Sequence, residues 1–201
     1  MNNAAISHQK TKTLTLLALF TAIVVVLQFV GSAIKLGPFS ISLVLVPIVI
    51  GAAMCGAKAG AWLGFVFGVV VLLSGDAAAF LQVNPLGTVI VVLVKGAMAG
   101  LCAGLVYKAL EKKSDFGATL AAAITAPVVN TGIFLIGCYI FFLPTVSGWA
   151  EGAGFGANVG RYMILGLVGG NFLVELAINV VLVSVITRLI RVGKKDTEQN
   201  A

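Results

Sequence analysis

Long apolar runs, separated by short polar or glycine-rich stretches, dominate the chain. Breaking these runs at charged residues, prolines and glycine clusters gives six segments of membrane-spanning character. They cover residues 14–34, 40–55, 59–74, 86–107, 117–143 and 161–190. The second and third are near the lower limit for a full crossing, whereas the fifth and sixth are long enough to tilt. The pattern predicts an all-α fold, the six-transmembrane-helix bundle of a polytopic membrane protein.

The composition agrees with this prediction and leaves no room for a sizeable soluble domain. The chain has 201 residues, of which 60% are hydrophobic and 10% charged, and its mean hydropathy is +1.10. Soluble domains carry about 25% charged residues. We therefore predict a single integral membrane domain over residues 1–201, with cytoplasmic tails at 1–13 and 191–201 and the bundle at 14–190.

Lysine and arginine residues predict the orientation. With the N-terminus inside, ten of them face the cytoplasm and two, Lys35 and Arg161, lie on the outer side. The ten are Lys10, Lys12, Lys58, Lys108, Lys112, Lys113, Arg188, Arg191, Lys194 and Lys195. This split follows the positive-inside rule and places both termini in the cytoplasm, as an even number of spans requires.

Two stripes of glycine recur at every fourth position, one in the third segment and one in the fourth. The stripes are Gly60, Gly64 and Gly68, and Gly96, Gly100 and Gly104. Small residues at this spacing let helix backbones approach closely in lipid. We expect close packing within the bundle, with docking of a partner as the alternative.

Three polar residues lie near the middle of membrane-length segments: Lys95, Asn130 and Glu175. A charge in the hydrocarbon core is costly unless it is paired or hydrated, with estimates for one Lys or Asp starting at roughly 2.5–3.5 kcal/mol. Asn171, Glu175 and Asn179 are four residues apart and share one helix face, which must look into the bundle. These positions predict a polar cavity that handles a small polar solute.

Two interpretations of this cavity are open. In one, Lys95 and Glu175 form a buried structural pair, and the asparagines complete its hydrogen bonds. In the other, Lys95 binds a carboxylate or phosphate of the solute, while amides bind its hydroxyl or peptide-like groups. The candidate substrate-binding residues are Lys95, Asn130, Asn171, Glu175, Gln28 and Asn84. Segments 74–87 and 144–160, rich in Gly and Ala, are candidate lids, and Trp149 is predicted to be an interfacial anchor rather than a stacking platform.

Motifs of catalysis and metal binding are missing. The chain contains no GxxxxGK[ST] phosphate loop, no HExxH and no GxSxG. Cys55, Cys102 and Cys138 show no CxxC or Cys/His spacing and are interpreted as small residues of a membrane core. We therefore predict that the protein is not an enzyme, with no catalytic residues, no metal and no cofactor.

Seven short motifs extend from the first segment to the fifth. They are Ala18-Leu-Phe-Thr-Ala22, Leu36-Gly-Pro-Phe-Ser-Ile-Ser42, Val49-Ile-Gly51, Ala57-Lys-Ala-Gly60, Asn84-Pro-Leu86, Gly100-Leu-Cys-Ala-Gly-Leu105 and Asn130-Thr-Gly132. With the size, the six segments and the orientation, they resemble the S component, the substrate-binding subunit, of energy-coupling factor (ECF) vitamin transporters of the pantothenate and riboflavin type. Val94-Lys95-Gly96 departs from the Pro-Arg of many relatives, and Lys cannot bind a carboxylate bidentately as Arg can.

This resemblance implies a six-helix bundle in the plasma membrane of a prokaryote that captures a vitamin with high affinity. The stripe of Ala18 and Ala22 would dock on the membrane coupling subunit of an ECF module, which also contains two ATPase subunits. For the substrate we expect pantothenate, because one carboxylate, two hydroxyls and an amide suit a single cation with several amides. Riboflavin is the alternative, which the scarcity of Trp and Tyr disfavours.

Two other classes of function stay open on the sequence. One is a stand-alone proton-coupled carrier with Glu175 as its protonation site, although the chain shows no convincing internal repeat. The other is a non-transporting membrane assembly or a channel subunit, with the glycine stripes as its oligomer face.

The predicted topology can be tested by cysteine labelling in whole cells. Cysteines introduced near Lys58, Lys112 and Lys194 should be protected from an impermeant reagent, and cysteines near Lys35 and Glu151 should react, because only the latter face outward. Labelling from outside at position 112 would overturn the arrangement with six spans and both ends inside.

Overall fold

The computed structural model of the chain describes residues 3–33, 35–36, 39–40 and 43–199. Helices form nearly all of this part of the chain, and Lys35–Leu36 (β1) and Phe39–Ser40 (β2) form a short antiparallel hairpin. The helices are α1 Asn3–Ser32, α2 Leu45–Cys55, α3 Ala57–Leu73, α4 Ala78–Leu81, α5 Pro85–Leu110, α6 Asp115–Phe141, α7 Leu143–Gly152, α8 Val159–Arg161, α9 Gly170–Val181 and α10 Val183–Gln199, with a π-helical segment, Tyr162–Gly169, between α8 and α9.

The first, fourth, fifth and sixth predicted segments correspond to helices that are long and apolar enough to cross a membrane. These stretches are Thr11–Ser32, Pro85–Leu110, Asp115–Phe141 and Val159–Val181. The first helix also extends back to Asn3, through most of the predicted polar tail. Within the described residues, four helical stretches thus have the length and apolar character of membrane spans, while the number of crossings and the side of each terminus stay predictions.

The second predicted segment forms a helix too short to cross a membrane, and the third forms one of barely sufficient length. Helix α2 has 11 residues, and Ser40, where the predicted segment begins, is in the hairpin. At 1.5 Å per residue α2 is about 16 Å long, roughly half of a 30 Å hydrocarbon core. Helix α3, with 17 residues, is at the lower limit. The second segment thus enters the bundle as a hairpin followed by a short helix.

The sixth predicted segment, 161–190, is not one continuous helix. Its first part is wound as a π-helix, and Gly166 fits there because a Cβ would lie 2.7 Å from the Tyr162 ring. Helix α9 ends at Val181, and α10 begins after Leu182 with polar and apolar faces. The sequence pattern did not reveal this break, because both parts are apolar enough to extend the run.

The two glycine stripes pack against each other, which confirms close packing within the bundle. Gly60 lies opposite Gly100, and Gly64 lies opposite Gly96, so that a Cβ on any of them would overlap the carbonyl group facing it. Only glycine permits this contact, in which the backbones of α3 and α5 touch directly. The register between these two helices is therefore fixed by four glycines.

Two buried apolar clusters flank the middle of the bundle. The larger contains Val24, Ile48, Leu63 and Ile186 and joins α1, α2, α3 and α10 with parts of α5 and α6. The smaller joins α4, α6, α7 and the π-helical segment, and Phe80 contacts Phe142 edge-to-face at 5.0 Å between ring centroids. Residues of both clusters face the space between them, where the polar side chains gather.

Substitution of Gly64 by alanine should destabilise the protein. The new methyl group would overlap the Gly96 carbonyl. Overpacking of this kind typically lowers the free energy of unfolding by about 1–3 kcal/mol. Gly132→Ala on α6 is the matched control, because a Cβ there has nothing within 4 Å. It should change stability by less than about 1 kcal/mol. Equal losses in the two variants, measured by unfolding in detergent, would contradict the direct backbone contact.

Candidate functional site

A polar cavity of about 80 Å³ lies between the two apolar clusters. At roughly 10–15 Å³ for each water position, it holds about five to eight waters. Its polar lining residues are Gln28, Asp76, Thr88, Lys95, Asn130, Thr131, Asn171 and Glu175. Its aromatic lining residues are Phe67, Phe80, Phe134, Phe142 and Phe172. The cavity combines charged and amide groups with phenylalanine rings, as small-molecule sites do.

The predicted polar side chains reach the cavity from four helices of the bundle. Asn171 and Glu175 are one turn apart on α9, directly after the π-helical segment ends. Lys95 projects from α5, and Asn130 from α6. Gln28 comes from α1. The structure thus brings together five of the six residues that the sequence pattern named.

The Lys95 ammonium lies over aromatic rings rather than against a carboxylate. Its Nζ is 5.2 Å from the centroid of Phe134 and 5.9 Å from that of Phe67. Such cation–π contacts stabilise a desolvated ammonium. The contacts that the structure describes for the Lys95 ammonium are these two rings. The structural pair with Glu175 stays one of the two interpretations of the cavity.

The Glu175 carboxylate is buried and hydrogen-bonded from its own helix. The residue is 3% exposed, and Asn171 donates from Nδ2 to its Oε1 over 3.4 Å. Asn179, on the same face, instead donates to the main-chain carbonyl oxygen of Glu175 at 2.8 Å and is not a lining residue. The face that the sequence predicted to look inward therefore divides into two cavity residues and one that supports the helix.

A second carboxylate, Asp76, closes the cavity at the turn after α3. Gln28 is 2% exposed and donates from Nε2 to Asp76 Oδ2 at 2.7 Å. This bond joins α1 to the turn across the cavity wall. The sequence did not single out Asp76, because acidic residues are common in loops. The feature that could have identified it is its position two residues after Ser74, where an apolar run ends.

Amide oxygens provide unused acceptors around the cavity. Within the described residues, Gln28 Oε1, Asn130 Oδ1 and Asn171 Oδ1 are buried without a hydrogen-bond partner. A buried polar atom left unpaired costs about 1–3 kcal/mol, so a ligand that supplied N–H or O–H groups would recover part of this cost. An amide can also turn over and present its NH₂ group. The lining therefore offers matched positions for hydroxyl and amide groups.

Asn84 is the predicted site residue that does not line the cavity. It is the N-cap of α5, where its Oδ1 accepts a hydrogen bond from the Gly87 N–H at 2.9 Å, and Pro85 follows at the first helical position. Both features are helix-start signals that could have been recognised in the sequence. Asn84 acts at a distance, by fixing where α5 begins and so the position of Lys95.

Trp149 and the alanine stripe occupy other surfaces. Trp149 packs edge-to-face on Phe80 at 5.3 Å between ring centroids and is not a lining residue, so α7 covers the aromatic side of the cavity. Ala18 and Ala22 are both exposed on one face of α1. The motif at residues 36–42 lies partly outside the described residues.

Comparisons with known proteins identify the class to which this fold and cavity belong. Residues 12–188 match the family described as "ECF transporter, substrate-specific component", and the chain belongs to this family. It is a family of transporter subunits, not of enzymes. The resemblance found in the sequence motifs is thus confirmed at the level of the family.

Two individual proteins are similar to the chain. It is 27% identical over 194 residues to the pantothenic acid transporter PanT of Lactococcus lactis subsp. cremoris, covering 88% of this chain and 92% of PanT. A solved structure of ThiT from Listeria monocytogenes has a TM-score of 0.61 at 22% identity, covering 90% of this chain and 98% of ThiT. The likeness to ThiT supports the fold.

Substitution of Gln28 by leucine should loosen the turn that carries Asp76. The change removes the donor at 2.7 Å and should cost about 1–3 kcal/mol of stability, because the acceptor at Asp76 Oδ2 stays in the cavity wall. Gln82→Leu is the control, since Gln82 is exposed in the neighbouring segment. Thermal unfolding should separate the two variants. A Gln28→Leu protein as stable as the Gln82→Leu protein would show that the bond contributes nothing.

Proposed function

We propose that this chain is the high-affinity substrate-binding subunit of an ECF-type importer for pantothenate, and that ATP hydrolysis takes place on separate subunits. The observation that carries the proposal is the Lys95 ammonium, which faces a small cavity lined by amides and phenylalanine rings. Membership in the family supports a vitamin-type substrate, and the similarity to PanT, a pantothenic acid transporter, supports this particular one.

The chemistry of pantothenate matches the cavity group by group. Its carboxylate pairs with Lys95, the one cation among the lining residues of the described cavity. Its hydroxyls donate to the carboxylates or to the free amide oxygens of Asn130 and Asn171. Its two methyl groups pack against phenylalanine rings. The carboxylate and the hydroxyls of the ligand thereby find partners among the lining residues.

The carboxylates of Asp76 and Glu175 compete only in part with a ligand carboxylate for the Lys95 ammonium. Gln28 donates to Asp76, and Asn171 donates to Glu175, so each carboxylate already accepts from an amide N–H. The Lys95 ammonium is held by rings, which are weaker partners than a carboxylate. A ligand carboxylate can therefore displace the ring contacts and gain a charge-assisted hydrogen bond.

Riboflavin is the second candidate, and one observation favours it. Five phenylalanines line the cavity and offer stacking surfaces that the count of Trp and Tyr in the sequence did not reveal. Against it, riboflavin has no carboxylate for Lys95. Its ring system would also have to widen a cavity of about 80 Å³ more than pantothenate would. Pantothenate is the better match in both charge and size.

Transport in this proposal requires partner subunits. The exposed Ala18 and Ala22 form a flat strip on α1 that lets another helix approach closely, so we assign them to contact with the membrane coupling subunit. A stand-alone carrier that protonates Glu175 would instead take up substrate in liposomes without any ATPase. Uptake by the purified chain alone, driven by a proton gradient, would favour that alternative.

The double change Lys95→Met with Glu175→Gln tests the role of Lys95. If Lys95 binds the ligand carboxylate, this variant should fold but bind pantothenate about 10- to 100-fold more weakly, because a charge-assisted hydrogen bond contributes roughly 1.5–3 kcal/mol. The loss should be smaller for the amide analogue of pantothenate. Titration calorimetry on the purified protein measures both ligands. Wild-type affinity in a folded double variant would remove Lys95 from the site.

Substitution by a bulky side chain tests the role of the alanine stripe, Ala18 and Ala22. Ala18→Trp and Ala22→Trp should leave pantothenate binding unchanged and abolish uptake in cells, because an indole group prevents the close approach of a partner helix. Ile124→Trp on α6 is the control, at a position that is also exposed. If Ala18→Trp and Ala22→Trp transported as well as Ile124→Trp, the strip would not be the docking surface.

A further inference from the structure

A groove with two arginines at its mouth lies between the start of α6 and α10. Phe116, Ser184, Thr187, Arg188, Arg191 and Val192 line it. Phe116 and Val192 are 50% and 53% exposed, so the groove has an apolar floor beside two guanidinium groups. None of these residues is among the lining residues of the polar cavity.

The two arginines differ in their partners. Arg191 lies 3.4 Å from the Asp115 carboxylate, in a pair whose side chains are 60% and 45% exposed. An exposed pair of this kind is weak and exchanges readily. Arg188 is exposed, and no ion pair or hydrogen bond is found for it in the part of the chain that the structure describes. The groove therefore has one guanidinium group that is not paired with a carboxylate, that of Arg188, and a second, that of Arg191, that can exchange Asp115 for an anionic ligand.

The surface beside the groove is apolar. Val185 and Leu189, on α10, are 53% and 51% exposed, while Ile186 and Ile190 hold the helix against the bundle. A helix with one face packed on protein, a basic face and exposed aliphatic side chains is typical of the membrane interface. Lys108 and Lys112, also exposed, lie near the ends of α5 and its following turn and add positive charge to this end of the bundle.

We propose that this groove binds the headgroup of an anionic phospholipid. The phosphate diester accepts from Arg188 and Arg191, whose planar groups suit bidentate binding to phosphate oxygens. The acyl chains lie along Phe116, Val185 and Leu189. A lipid meets both the charge and the apolar surface, whereas a soluble phosphate compound would use only the charge. This site is independent of the vitamin cavity.

Native mass spectrometry of the purified chain tests the site. The probe is phosphatidylglycerol, compared with phosphatidylcholine of the same acyl chains. Wild-type protein should retain one phosphatidylglycerol in preference to phosphatidylcholine. Arg188→Gln should weaken binding about 5-fold, and Arg188→Gln with Arg191→Gln about 30-fold, as expected for loss of about 1 kcal/mol per basic group. Asp115→Asn should strengthen binding, because it releases Arg191.

Lys108→Gln with Lys112→Gln is the matched control, since it removes two charges from the same end of the bundle but outside the groove. It should retain phosphatidylglycerol. An equal loss of phosphatidylglycerol in the two double variants would show that only overall charge matters and would overturn the proposal. Equal retention of phosphatidylcholine and phosphatidylglycerol by the wild-type protein would overturn it as well. Full competition by inorganic phosphate would make the groove a site for soluble anions instead. Unchanged lipid binding with loss of co-purifying subunits would make it a protein contact. Arg188→Gln alone keeps the test valid if the double variant does not fold.

Discussion

The backbone contact between α3 and α5 is the constraint on which the site depends. Gly64 faces Gly96, the residue next to Lys95, and Phe67 lies one turn further along α3. Because glycine alone permits this approach, the register of the two helices cannot slip without overlap. That register places the Lys95 ammonium over the Phe67 ring. A packing feature that carries no chemistry thus determines where the Lys95 ammonium lies in the cavity.

The polar groups of the cavity then follow from the cost of burying them. Charges in a low-dielectric space need partners: Asp76 accepts from Gln28 of another helix, Glu175 accepts from Asn171 of its own helix, and Lys95 lies over aromatic rings. The hydrogen bonds are not complete, because three amide oxygens of the lining have no partner among the described residues. A site that is prepared but incomplete is what a binding subunit needs, since the ligand supplies the missing groups.

Much of the site could be predicted from the sequence because lipid makes polar residues conspicuous. Lys95, Asn130 and Glu175 stand out in apolar runs, and their convergence follows from the lack of any partner in lipid. The rest was hidden for physical reasons. Asp76 lies in a turn, where acids are common, and the phenylalanines of the cavity are indistinguishable from core residues. Asn84 is predicted to line the cavity, although an Asn followed by Pro85 marks a helix start.

The limits of the segments were harder to predict than their existence. Hydropathy identifies apolar runs but not the hydrogen bonding within them, so it joined the hairpin to α2 and joined α9 to α10 across Leu182. The break at Leu182 matters, because it turns the basic end of the sixth segment into a separate helix with two faces.

In the proposed function, the cavity binds a vitamin whose carboxylate is held by Lys95. Mass spectrometry of the small molecules released on denaturing the purified protein tests this binding, after expression in cells supplied with pantothenate and riboflavin together. We expect pantothenate in near-equal amount to the protein, and little of it from protein that carries Lys95→Met with Glu175→Gln. Release of riboflavin, or of any tightly bound ligand that has no carboxylate, would contradict it.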